Sequence, residues 1–194
     1  MDITAASDRF GAPLASDRLR LCQELANSVP LTPRAAPDLL ADAGAAGRWL
    51  GPLARQWSAL HHVSAPDLEF TEADVARLRA LRSRLRALLS AEEPGTSQAL
   101  LAPVTVRADW HGVSMSPAGR AAAWVESAVA GELLLASEHG ELRRLKLCRN
   151  PACAVAFYDR SKNNSRVWHN LARCGTPMHV RAYRDRQRGT PPSD

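Results

Sequence analysis

Four side chains that favour metal fall within 27 residues of this chain, spaced Cys148-x4-Cys153-x15-His169-x4-Cys174. Two close pairs joined by a loop suit a tetrahedral Zn2+ site, one pair from a turn and the other from the start of a helix. So short a segment has little core, and metal must supply much of its folding energy. Because four protein ligands fill the coordination sphere, the spacing predicts one structural zinc, not a catalytic ion with a position open to water. Phe157, Tyr158 and Trp168 stand between the pairs as expected covers for the metal, and residues 159–165 as the polar loop that turns the chain.

Charge singles out the same region. Residues 1–141 hold 13 Lys and Arg against 17 Asp and Glu, whereas residues 142–188 hold 12 against 2. A stripe of +10 attracts polyanions whatever their sequence, so DNA is the first partner expected; the alternative is a solvated basic tail. The expected contacts are Arg160, Lys162, Arg166 and Arg173 on the metal module, with Arg181, Arg184 and Arg188 on one face of a helix beginning near Pro177.

Upstream, apolar spacing predicts helices over 16–28, 37–46 and 48–61. The clearest helix is expected at 72–90, where Thr71 and Asp74 make a capping-box start and Val75, Leu78, Leu81, Leu85, Leu88 and Leu89 form the apolar stripe. Its arginines, 77, 79, 82, 84 and 86, read as a solvated outer face. Residues 92–97 read as a loop. A β-hairpin is expected over 104–115, then a buried helix over 117–137 opened by Pro117. Cys22 reads as core. The expected fold is mainly α (α+β): a helical N-terminal domain with a small hairpin over 1–141, a treble-clef-like zinc finger over 142–188, and a disordered tail over 189–194.

The start, MDITAASDRF, lacks a basic region followed by an apolar stretch, and no apolar run approaches bilayer length, so a cytoplasmic protein without a membrane partner is expected. No nucleotide-binding glycine loop, nucleophile elbow or paired-histidine metalloprotease motif is present, and His61-His62 with Asp67 and Glu69 read as surface residues. No catalytic residue is assigned, and the chain is not expected to be an enzyme.

Residues 148–153 (CRNPAC), 157–161 (FYDRS), 165–169 (SRVWH), Cys174-Gly175 and Tyr183-Arg184 resemble the CGNR-type zinc finger of bacterial proteins. That family sets the finger after a mainly helical ABATE-type domain, and residues 21–29 (LCQELANSV) are similar to the Asn-containing start of that domain. The resemblance implies a stress-linked transcriptional regulator that binds DNA through the finger. This chain departs from the family in having His169 where cysteine is usual, Thr176-Pro177 in place of the Asn and Arg of the naming tetrad, and His179 at a usually basic position. Imidazole is an ordinary zinc ligand, so the first departure preserves metal, whereas the others remove groups expected to meet phosphate or base. The leading expectation is a DNA-binding regulator whose N-terminal domain serves dimerisation or the sensing of a small-molecule effector. The alternative is a zinc-stapled protein-interaction module without DNA binding.

Overall fold

The computed structural model describes residues 6–30, 36–90, 100, 102–110 and 112–189. Among the described residues five α-helices and two small antiparallel hairpins follow one another: α1 (Arg20–Ala26), α2 (Ala43–Leu60), α3 (Glu72–Ser90), β1 (Val104–Asp109), β2 (Gly112–Pro117), α4 (Ala121–Glu138), β3 (Leu145–Leu147), β4 (Ala156–Tyr158) and α5 (Thr176–Gly189). The mainly helical reading with a small hairpin and a treble-clef-like end holds. Among the described residues no helix is long and apolar enough to cross a membrane.

Each of the first four helices buries one side against the others. Leu21, Cys22 and Leu25 of α1, Trp49, Leu50 and Trp57 of α2, Leu78 and Leu85 of α3, and Val125 and Val129 of α4 share one core. The capping box of α3 forms as expected: the Asp74 N–H donates to Thr71 Oγ1 at 3.2 Å and the Thr71 N–H to Asp74 Oδ2 at 3.0 Å. Cys22 is fully buried.

The expected helices over 37–46 and 48–61 are instead one helix, α2, that starts six residues after Pro37. Asp42 caps it, its Oδ1 accepting the Ala45 N–H at 2.7 Å. Gly44, Gly47, Gly51 and Pro52 weaken such a helix intrinsically, but Ala46, Trp49, Leu50, Leu53 and Trp57 put one continuous stripe into the core, and burial outweighs propensity. Pro117 likewise opens no helix. It ends β2, paired with Val104, and α4 begins four residues later. The loop expected over 92–97 and the tail from 190 onward lie outside the described residues, and Gly189 is the last residue of α5.

The arginines of α3 only partly form the expected solvated face: Arg77, Arg79 and Arg84 are exposed, but four of the five also bond to the rest of the protein. Arg79 donates to the carbonyls of Leu40 and Ala41, and Arg82 forms a two-pronged pair with Asp38 at 2.6 and 3.0 Å. Arg77 meets Glu126, and Arg86 reaches the carbonyls of Ala26 at 2.7 Å and Ala154 at 2.9 Å. Guanidinium groups suit this work, because one planar fork satisfies two carbonyls that a helix end or turn leaves without partners.

One carboxylate lies deep in the core. Glu132 of α4 accepts the N–H groups of Leu21 at 3.0 Å and Cys22 at 2.8 Å, which open α1, and the indole N–H of Trp57 at 2.9 Å. Burial pushes its carboxyl up to about 7, although those donors pull the other way.

Candidate metal centre

The knuckle over 148–153 is shaped by Asn150. Its side-chain oxygen accepts the Ala152 N–H at 3.1 Å, and its carbonyl accepts the N–H groups of Cys153 at 2.8 Å and Ala154 at 3.0 Å. This closes a tight turn that places Cys148 and Cys153 side by side, and the chain leaves it through Ala154 at φ +48°. The β3–β4 hairpin carries the knuckle, with Leu145 opposite Tyr158 and Leu147 opposite Ala156.

The second pair comes from the entry to α5. Asn170 caps a single π-helical turn, Leu171–Gly175, its side chain accepting the Arg173 N–H at 2.9 Å and its carbonyl the Cys174 N–H at 3.0 Å. This turn leads straight into α5. Gly175 is required by close approach: a Cβ there would lie 2.5 Å from Leu171 Cδ1 and 2.8 Å from Trp168 Cδ1. The tryptophan therefore closes over the glycine and packs against the cysteine cluster.

Cys148, Cys153, His169 and Cys174 are all buried, and their ligand atoms lie within 4.8 Å of one another. The Nδ1 of His169 stands 3.4 Å from Cys153 Sγ and 3.5 Å from Cys174 Sγ. Tetrahedral corners at ordinary Zn–S and Zn–N bond lengths are about 3.6 to 3.8 Å apart, close to the two His169 separations, and side-chain shifts of about 1 Å or less bring all four onto one Zn2+. Ligation through Nδ1 leaves the ring proton on Nε2, which is buried and has no hydrogen-bond partner among the described residues. A hydrogen bond from Cys153 holds Cys148 down at about 3 and pushes Cys153 up, while burial pushes Cys174 up. A bound zinc displaces the thiol protons and, with four protein ligands, is closed to water: a structural ion.

Two features escaped the sequence reading. Asp159 is fully buried at the start of the loop, where it takes Lys146 Nζ at 2.8 Å and the N–H groups of Ser161 at 2.9 Å and Arg166 at 2.8 Å. Burial alone would raise its carboxyl, but Lys146 and these donors hold it well below the usual range. One of only two acids in a stretch of twelve Lys and Arg was the available signal. The other feature is Asn27, the residue that ends α1, whose side-chain oxygen accepts the Ala156 N–H and whose amide donates to the Ala156 carbonyl, both at 2.8 Å. Gln23, one turn earlier, donates to the same carbonyl at 3.3 Å.

Strand alternation then sorts the aromatics. Val155 and Phe157 face the cysteines together with Phe10, whereas Ala156 and Tyr158 face the helical core. Tyr158 is therefore not the metal cover that the sequence leads one to expect; Phe157 and Trp168 are.

Of the residues expected to meet DNA, all seven are exposed. Arg181, Arg184 and Arg188 line one side of α5 with Thr176, Pro177 and Val180. Arg160 donates to the Leu14 carbonyl at 3.0 Å and Arg166 to the His169 carbonyl at 3.2 Å, so both brace the module as well as charging it. His61, by contrast, stacks on Trp57 with ring centroids 4.0 Å apart. Among the described residues the Cys3His group is the one cluster suited to a metal.

A knuckle on a hairpin, a second ligand pair at a helix start and a closed Cys3His set define a structural zinc finger of treble-clef-like build. The family model for the CGNR zinc finger matches residues 144–187, from the turn before β3 to the last turns of α5. No curated protein matches the chain.

Proposed function

We propose that this chain is a cytoplasmic transcriptional regulator that binds DNA with its zinc finger and α5, the helical part acting as an ABATE-type regulatory domain. The observation that carries this reading is the placement of Arg181, Arg184 and Arg188 on one open side of a helix rooted in the metal centre. Exposed Lys162 and Arg173 add charge nearby, and the acid within the loop, Asp159, is buried and already neutralised by Lys146. A helix so charged can lie along phosphates or enter the major groove, where arginine reads guanine.

Fluorescence anisotropy with labelled duplex DNA over a salt series tests the proposal. Affinity is expected to fall steeply with salt, and replacing Arg181, Arg184 and Arg188 together by Ala should reduce the salt slope by about 3. No binding at low salt, or a triple variant that binds like the parent, overturns it. Val180, 42% exposed within the same row, favours a second reading in which the module docks an acidic protein. Capture of one acidic protein that survives nuclease treatment, with no affinity for DNA, would establish that reading instead.

A further inference from the structure

The β1–β2 hairpin stands out from the helices that support it. All of β1 beyond Val104 is exposed, including Val106 at 59%, and Trp110 at its tip is 88% exposed. Among the described residues no strand lies on the outer edge of β1, and β1 itself carries neither proline nor lysine to discourage pairing. Met115 of β2 packs on α4 at Gly131, so the ribbon is anchored, while the outer edge of β1 presents backbone groups that can template a further strand.

The register fixes what that edge offers. Asp109 pairs with Gly112 across an intervening two residues, and such a closing pair is hydrogen-bonded. Alternation then turns the backbone groups of Arg107 inward to β2, and those of Val106 and Ala108 outward to the open edge. Side chains alternate too, putting Arg107 and Asp109 on one face, where their charged groups are 3.2 Å apart, and Val106 and Ala108 on the other.

The strand is complementary to itself about Ala108. Laid antiparallel on a second β1, Ala108 meets Ala108 in a hydrogen-bonded pair, Arg107 faces Asp109 of the second copy, and Asp109 faces its Arg107. These flanking positions are then non-hydrogen-bonded pairs, in which side chains approach most closely. Four charges would alternate in sign on one face, while on the other Val106 meets Trp110 of the second copy. The relation is a two-fold, with each copy giving and receiving the same contacts.

We infer that β1 is a dimerisation edge whose occupant is β1 of a second copy, joining two hairpins into one four-stranded antiparallel sheet. The inference does not depend on DNA binding and is tested without DNA.

Sedimentation equilibrium of the zinc-loaded, nuclease-treated full chain should show a mass rising with concentration from 21.1 kDa toward twice that value. Arg107→Asp puts like charges opposite each other at both symmetric positions and should raise the dissociation constant about tenfold or more. The double reversal Arg107→Asp with Asp109→Arg restores both pairs and should restore the parent value. Because the Arg107 side chain is 78% exposed, the single variant should keep the parent melting temperature at concentrations where both are monomers. Hydrogen exchange locates the contact: the Ala108 amide should slow as concentration rises in the parent and in the double variant alone. A mass that stays at 21.1 kDa throughout, or a dimer indifferent to the single reversal, overturns the inference.

Discussion

Replacing Asn27 by Ala probes the seam between α1 and the zinc finger. Three hydrogen bonds go at once: the two to the backbone of Ala156 at 2.8 Å and the one donated to Ser7 Oγ at 2.9 Å. They do not weigh equally. The Ala156 carbonyl keeps Gln23 at 3.3 Å, but its N–H, on the side of β4 away from β3, loses its acceptor in a fully buried place. An orphaned buried donor costs about 1 to 3 kcal/mol, and a further lost bond to a partner that remains satisfied about 1 kcal/mol. The sum, about 3 kcal/mol, should lower the melting temperature by roughly 6 to 12 °C for a chain of this size. The assay is calorimetric unfolding with zinc in excess. Asn27→Asp is its control, since it keeps the acceptor for the Ala156 N–H while setting a carboxylate oxygen against the Ala156 carbonyl. A loss under 2 °C for Asn27→Ala, with zinc content unchanged, would refute the claim that this side chain fastens β4 to α1.

Cys153→Ser should abolish the stoichiometric zinc of the parent, measured by mass spectrometry of the intact protein, and exchange in 148–175 should accelerate with it. Gly175→Ala forces a methyl against Trp168 and Leu171, an overpacking worth about 1 to 3 kcal/mol, to be read as a lower melting temperature and faster zinc loss to a chelator. Glu132, raised to about 7 from an ordinary 4.5, binds more proton in the folded than in the unfolded chain between those values. Its contribution to stability is therefore full below about 4.5 and lost as pH rises through about 7, a change on the order of 3 kcal/mol. Denaturant unfolding at several pH values should show this slope in the parent and not in Glu132→Gln; equal slopes would contradict it.

The metal centre was legible in the sequence because zinc chemistry demands particular side chains at short spacings, and nothing about the fold has to be known to see them. The capping box at Thr71 and Asp74 was legible for the same local reason. What failed was whatever depends on a distant partner. Gly44 and Gly47 read as a break between two helices because propensity is local, whereas the tryptophans that hold α2 together act through the core. The α3 arginines read as a solvated face, since no pattern in 72–90 announces that Asp38, Ala41 and Ala154 arrive beside it. Gln23 and Glu132 are polar residues within helices and Asn27 ends one, and periodicity alone places such residues in water. Tyr158 was misplaced for a smaller reason: adjacent strand residues face opposite ways, so only one of the Phe157–Tyr158 pair could reach the cysteines.

The three residues of β4 have a consequence for how the molecule handles information. One side of that strand belongs to the zinc cluster through Phe157, the other to the helical core through Ala156, and Asn27 grips its edge. Zinc occupancy and the packing of α1 are thus two readings of a single short piece of backbone. A change that starts at the cysteines therefore meets the helical part of the chain at β4 itself, through Ala156 and Asn27.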